Sequence, residues 1–88
     1  MDEGVVLVSL TETASRNLRA ELARRDKTAE DLAAAWGYEI RTANNRLKGR
    51  TPLSTDEIEK AAGLFGLDPE NLTMLLIQPI DSIKQFKA

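Results

Sequence analysis

Eighty-eight residues, 42% of them hydrophobic and 30% charged, are enough for one modest core and too few for two, so a single domain over residues 1–88 is expected, with its core at about 9–77. The absence of cysteine and histidine removes disulfides, thiolate nucleophiles, the usual zinc ligands and the side chain most used for proton transfer near neutral pH, so no catalytic residue, metal, cofactor or small-molecule substrate is expected. No apolar run approaches the roughly 18 residues that span a bilayer, and Val5–Leu10 follows Asp2 and Glu3 in place of basic residues, so neither a membrane partner nor a signal peptide is expected and the location reads as cytoplasmic.

In chain order, Val5-Val6-Leu7-Val8 is short, apolar and β-branched enough for one N-terminal strand. A first helix opens at Ser9-Leu10-Thr11-Glu12, which has the spacing of a capping box, and sets Leu10, Ala14, Leu18 and Leu22 on one stripe. Arg16, Arg19, Arg24 and Arg25 lie mostly off that stripe and read as solvated. A second helix takes Thr28 as N-cap, carries Glu30 and Asp31 in its first turn, buries Leu32, Ala33 and Trp36, and ends at Gly37.

Only Gly37 and Tyr38 are left for a turn before a third helix, read over about Glu39–Lys48 and closed by Gly49. Ala43 and Leu47 form its narrow apolar face, while most of its remaining circumference is polar and rich in hydrogen-bonding groups. An ordinary solvated surface helix would share that pattern. Trp36 and Tyr38 are assigned to the core. Ser54-Thr55-Asp56-Glu57 is a second capping box, opening a fourth helix with Ile58, Ala61, Ala62 and Phe65 inward and Gly66 at its end. Asp68 and Pro69 open a fifth, with Leu72, Leu75 and Leu76 inward. Pro79 stops it, and the tail Ile80–Ala88 keeps Ile80, Ile83 and Phe86 without a clear period.

The net charge of −2 conceals an asymmetry along the chain. Residues 16–50 hold nine basic and five acidic side chains, the rest three basic and nine acidic. From Ile40 to Arg50 there are four basic residues and no acidic one, the footprint of a segment that faces phosphate.

Two short helices joined at a glycine, the second polar and basic, have the organisation of a helix-turn-helix. Leu32-Ala33-Ala34-Ala35-Trp36-Gly37-Tyr38, followed by Gly49-Arg50-Thr51-Pro52, Ile58, Ala61-Ala62, Leu64, Phe65-Gly66-Leu67 and Asp68-Pro69-Glu70-Asn71-Leu72, resembles the phage repressor and Cro (lambda-repressor-like) family. The resemblance runs over about Leu18 to Leu72. It implies an all-α, five-helix helix-turn-helix domain, to which a short N-terminal strand and an apolar C-terminal tail are added here. This chain departs from the family pattern in having Ala29 where Gln is common, Glu39 where a small residue usually opens the recognition helix, and Ala43 in place of a larger apolar residue.

The implied function is that of a sequence-specific transcriptional repressor binding a double-stranded DNA operator, in a bacterial host cell and associated with its nucleoid. Carried over by position, Ile40, Arg41, Thr42, Asn44 and Asn45 are the candidates for reading bases in the major groove. Thr28, Arg46, Lys48, Arg50 and Thr51 are the candidates for phosphate. A homodimer joined through one or both termini is expected, because Val5–Val8 and the tail would otherwise leave apolar surface exposed; the alternative is that the N-terminal run folds back over the first helix and the tail frays. Functional alternatives are an antitoxin-like autoregulator and a protein-interaction adaptor with the same fold.

Overall fold

The computed structural model describes residues 9–78, which form five α-helices and no strand: α1 (Leu10–Arg24), α2 (Ala29–Trp36), α3 (Ile40–Leu47), α4 (Thr55–Phe65) and α5 (Pro69–Leu76). The all-α reading agrees with this. The strand expected over Val5–Val8 and the apolar tail Ile80–Ala88 lie outside the described residues. Among the described residues, no helix is long and apolar enough to cross a membrane.

The helix starts follow from side chains that satisfy orphan backbone N–H groups. The Ser9 hydroxyl accepts from the Glu12 N–H at 3.0 Å. Thr28 accepts from the Asp31 N–H at 3.1 Å, and the Asp31 carboxylate accepts from the Thr28 N–H at 2.9 Å. Ser54 and Glu57 form the same reciprocal pair at 3.0 and 2.9 Å. Asp68 precedes α5 as its N-cap residue but makes no capping hydrogen bond with its side chain; Pro69 at the first helical position supplies the preset φ instead. Gly37 ends α2 at φ 77°, a left-handed conformation that a side chain would oppose. That reversal lets both Gly37 and Tyr38 donate to the Ala33 carbonyl, at 2.8 and 2.9 Å, and turns the chain directly into α3.

The core draws on every helix: Leu18 and Leu22 from α1, Leu32, Ala33 and Trp36 from α2, Ala43 and Leu47 from α3, Ala61, Ala62 and Phe65 from α4, Leu72 and Leu76 from α5. The small residues Ala33, Ala43, Ala61 and Ala62 are all buried, and their size admits close helix approach. α2 packs on α3 and α4, while α1 packs on α3 and α5 and α4 on α5. Leu10 is a correction to the α1 stripe: it is 65% exposed, because it stands in the first helical position, on the rim of an open groove that it shares with Leu53, Ile58 and Ile77. Leu75 is half-buried, the inward face of α5 falling on Leu72 and Leu76.

Polar groups from α1 tie the rest together. The buried Asn17 amide donates to the Leu76 carbonyl at 2.7 Å and to the Gln78 carbonyl at 2.8 Å, fastening the end of α5. Ser15 donates to the Arg46 carbonyl at 2.6 Å, and the Arg19 guanidinium donates to the Leu47 carbonyl. The α1 arginines are therefore not all merely solvated. Arg19 caps α3, where a cation also meets the negative end of the helix dipole. Arg24 and Arg25 pair with the buried Glu21, and Arg25 lies over the Phe65 ring at 5.3 Å.

Candidate nucleic-acid interface

α3 is anchored on three sides and polar on the fourth. Ala43 and Leu47, one turn apart, are 0% and 5% exposed against the core. Ser15 and Arg19 hold its C-terminal carbonyls. The third anchor is Glu57, at the start of α4. Its Oε1 accepts from the Ser54 N–H at 2.9 Å, and its Oε2 accepts from the Tyr38 hydroxyl at 2.5 Å and from Arg46 Nε at 3.0 Å. Its backbone carbonyl accepts from the Trp36 indole N–H at 2.8 Å. One buried acidic residue thus joins the end of α2, the turn, α3 and α4. The Trp36 and Tyr38 rings meet at 5.5 Å, tilted by 51°, with the Arg46 guanidinium 5.5 Å from the Tyr38 ring centre.

The helical repeat sets Arg41, Thr42, Asn45 and Lys48 away from Ala43 and Leu47, with Asn44 and Arg46 on the flanks, whereas Ile40 continues the Ala43–Leu47 stripe at i−3 and i−7 and is 42% exposed at the first helical position. Ile40, Arg41 and Lys48 are exposed, and Thr42, Asn44 and Asn45 are half-buried. Of the five base-reading candidates, Arg41, Thr42, Asn44 and Asn45 therefore occupy the outward and lateral surface of one helix, and Ile40 is exposed at its N-terminal end. Glu39 is exposed at the N-cap position but makes no capping hydrogen bond. Trp36 is buried, as its assignment to the core requires, and Tyr38 is partly buried at the core margin.

The phosphate candidates are less uniform. Lys48 and Arg50 are exposed and Thr51 half-buried beyond the end of α3. Thr28 is exposed at the start of α2, and its oxygen caps Asp31, which leaves the hydroxyl proton free to be donated. Arg46 differs: its side chain is 20% exposed and its Nε is committed to Glu57. The acid-free stretch therefore presents three cations outward, because an acidic residue from α4 comes back to meet the fourth. Sequence reasoning placed Glu57 in a capping box through one carboxylate oxygen; the use of the other oxygen depends on tertiary approach and has no local signature. Among the described residues, no group of three or more acidic side chains is placed to hold a metal ion.

Burial pushes the Glu57 carboxyl up, but hydrogen bonds from Tyr38, the Ser54 backbone and Arg46, together with the Arg46 charge, outweigh it and hold the group below its ordinary value. The same bond to Glu57, with burial, raises the Tyr38 phenol. A carboxyl whose folded value is depressed stabilises the fold fully above its unfolded value, about 4.3, and loses that contribution as pH falls through the folded value. Urea unfolding between pH 7 and pH 3 is expected to show a loss of stability on acidification that is smaller in Glu57→Gln than in the wild type. Equal losses would show that Glu57 does not drive the acid limb. For Tyr38 the sign reverses: its contribution is present below about pH 10 and lost above it.

Compared with family models, curated proteins and solved structures, this chain matches none.

Proposed function

We propose that this chain binds double-stranded DNA sequence-specifically through α2, the Gly37–Tyr38 turn and α3, and acts as a transcriptional repressor of the lambda-repressor-like kind. The observation that carries the reading is the state of α3: an eight-residue helix with Ala43 and Leu47 buried, its C-terminal end tied to α1 and α4 and the preceding turn tied to α4 through Tyr38, and its free surface given to Ile40, Arg41, Thr42, Asn44 and Asn45. A rigidly held helix with that surface suits insertion into the major groove, where Arg can bind guanine O6 and N7, Asn adenine N6 and N7, and Ile a thymine methyl. Lys48, Arg50, Thr51 and Thr28 supply phosphate contacts that fix its register.

The proposed active form is a homodimer that sets two recognition helices about 34 Å apart on one face of the duplex. Exposed Leu10, Met74 and Ile77, at 65%, 62% and 49%, favour self-association, and the apolar termini that bound the described residues remain part of the proposed contact. Selection of bound duplexes from a random pool at stated salt tests the reading. One enriched inverted repeat supports a dimeric regulator; no enrichment would remove sequence-specific DNA binding and favour an adaptor.

Within the enriched site, Arg41 and Lys48 are expected to part ways. Arg41→Ala should weaken binding by about 1–3 kcal/mol and relax preference mainly at one base pair of each half-site. Lys48→Ala should weaken all sequences alike and reduce the salt slope by about 0.9. Binding measured across a library of single-base operator variants separates the two, and uniform weakening by Arg41→Ala would reassign that residue to phosphate.

A further inference from the structure

We propose that Glu57 withholds Arg46 from DNA, so that this cation of the recognition helix contributes neither to phosphate attraction nor to the salt dependence of binding. The inference rests on the DNA-binding reading above and concerns how that surface balances charge against sequence readout.

Four observations carry it. Glu57 is 3% exposed, and both of its carboxylate oxygens already accept hydrogen bonds, one from the Ser54 N–H and the other from Tyr38 and Arg46. Arg46 is held by its backbone as well as its side chain, since Ser15 donates to its carbonyl. Its guanidinium packs beside the Tyr38 ring, which shields one side of the pair. By contrast Arg41, Lys48 and Arg50 in the same acid-free stretch are exposed. A carboxylate oxygen offers a guanidinium the same charge-assisted acceptor that a phosphate oxygen would. The Arg46 Nε–H is therefore already given to Glu57, and the guanidinium charge is met within the protein by a buried carboxylate.

The consequence is selective. Attraction between cations and phosphates is independent of sequence and supplies essentially all non-specific binding. Each cation kept from the backbone lowers the affinity for random DNA, while the hydrogen bonds of Arg41, Asn44 and Asn45 to base edges are untouched. Glu57 acts here as a positioning residue, through Arg46, on the ratio of specific to non-specific binding.

Glu57→Gln keeps the shape and an acceptor oxygen but removes the charge that retains Arg46. The folded variant is expected to show a plot of log K against log salt steeper by about 0.9 per protomer, tighter binding to random-sequence duplex at low salt, and a smaller specificity ratio. An unchanged slope and ratio would overturn the proposal, because a purely structural role gives no reason for a new phosphate contact. Should that variant fail to fold, the double substitution Glu57→Leu with Arg46→Met replaces the buried pair by apolar groups, a change that is often tolerated. Its slope is expected to equal that of the wild type; a slope shallower by about 0.9 would show that Arg46 meets phosphate in the wild type and would overturn the proposal. Failure of the wild-type chain to bind any duplex would sink the DNA-binding reading itself, an outcome distinct from wild-type binding with an unchanged slope in Glu57→Gln.

Discussion

Trp36→Ala is expected to lower the unfolding free energy by about 3–5 kcal/mol, the range for removing a large aromatic side chain from a core. The ring is 4% exposed and packs where α2, the turn and α4 converge. Its indole N–H also donates to the Glu57 carbonyl at 2.8 Å, so truncation opens a cavity and strips a partner from a backbone acceptor. A domain of this size holds only about 5–10 kcal/mol in all. Thermal and urea unfolding measure the change, and any loss of DNA binding should track the unfolded fraction. A variant that melts like the wild type yet has lost DNA binding would assign Trp36 to recognition and not to the core.

Arg46→Ala is expected to cost about 3 kcal/mol, near the lower end of the range for breaking a buried ion pair from one side. The Glu57 carboxylate stays buried after the substitution, but Tyr38 and Ser54 continue to donate to it, which limits the damage. Adding Glu57→Gln to Arg46→Ala should recover part of the loss by removing the unpaired charge. A double-substitution cycle read by urea unfolding measures the coupling. Strict additivity would mean that the 3.0 Å contact between Arg46 and Glu57 contributes nothing to the fold.

Much of the secondary structure was legible locally, because the signals that delimit these helices act within four residues. Thr28 with Asp31, Ser54 with Glu57 and the left-handed Gly37 and Gly66 mark helix ends by chemistry that needs no distant partner. The third helix, read over Glu39–Lys48, is observed at Ile40–Leu47. What escaped was long-range. Arg19, which reaches the Leu47 carbonyl, and Arg25, which lies over the Phe65 ring, resemble solvated cations when only their own helix is considered, and Leu10 resembles a core residue for the same reason. Whether either faces water depends on what another helix brings to that spot. Arg46 shows the same limit at the candidate interface: four cations without a neighbouring acid imply a fully basic surface until Glu57 arrives from α4. The outward placement of Arg41 and Asn45 was easier to read, since Ala43 and Leu47 leave α3 with one possible inward side; Ile40 falls on that same side by period and is exposed because it stands at the helix start.

The pair of hydrogen bonds from Asn17 bears on the order in which the molecule assembles. The bond to Leu76 joins residues 59 apart in sequence, so it closes nearly the whole domain into a ring, whereas the bonds joining Trp36, Tyr38 and Arg46 to Glu57 span 21, 19 and 11 residues. Loop-closure entropy rises with length, and the shorter loops through Glu57 close first. Docking of α5 on α1 is then expected late in folding and first to be undone. Asn17→Ala should accordingly speed unfolding by about tenfold, for a loss near 1.4 kcal/mol, while leaving the refolding rate almost unchanged. Stopped-flow rates across a denaturant series would reveal this; refolding slowed as much as unfolding is hastened would place the ring closure in the folding nucleus and reverse the order.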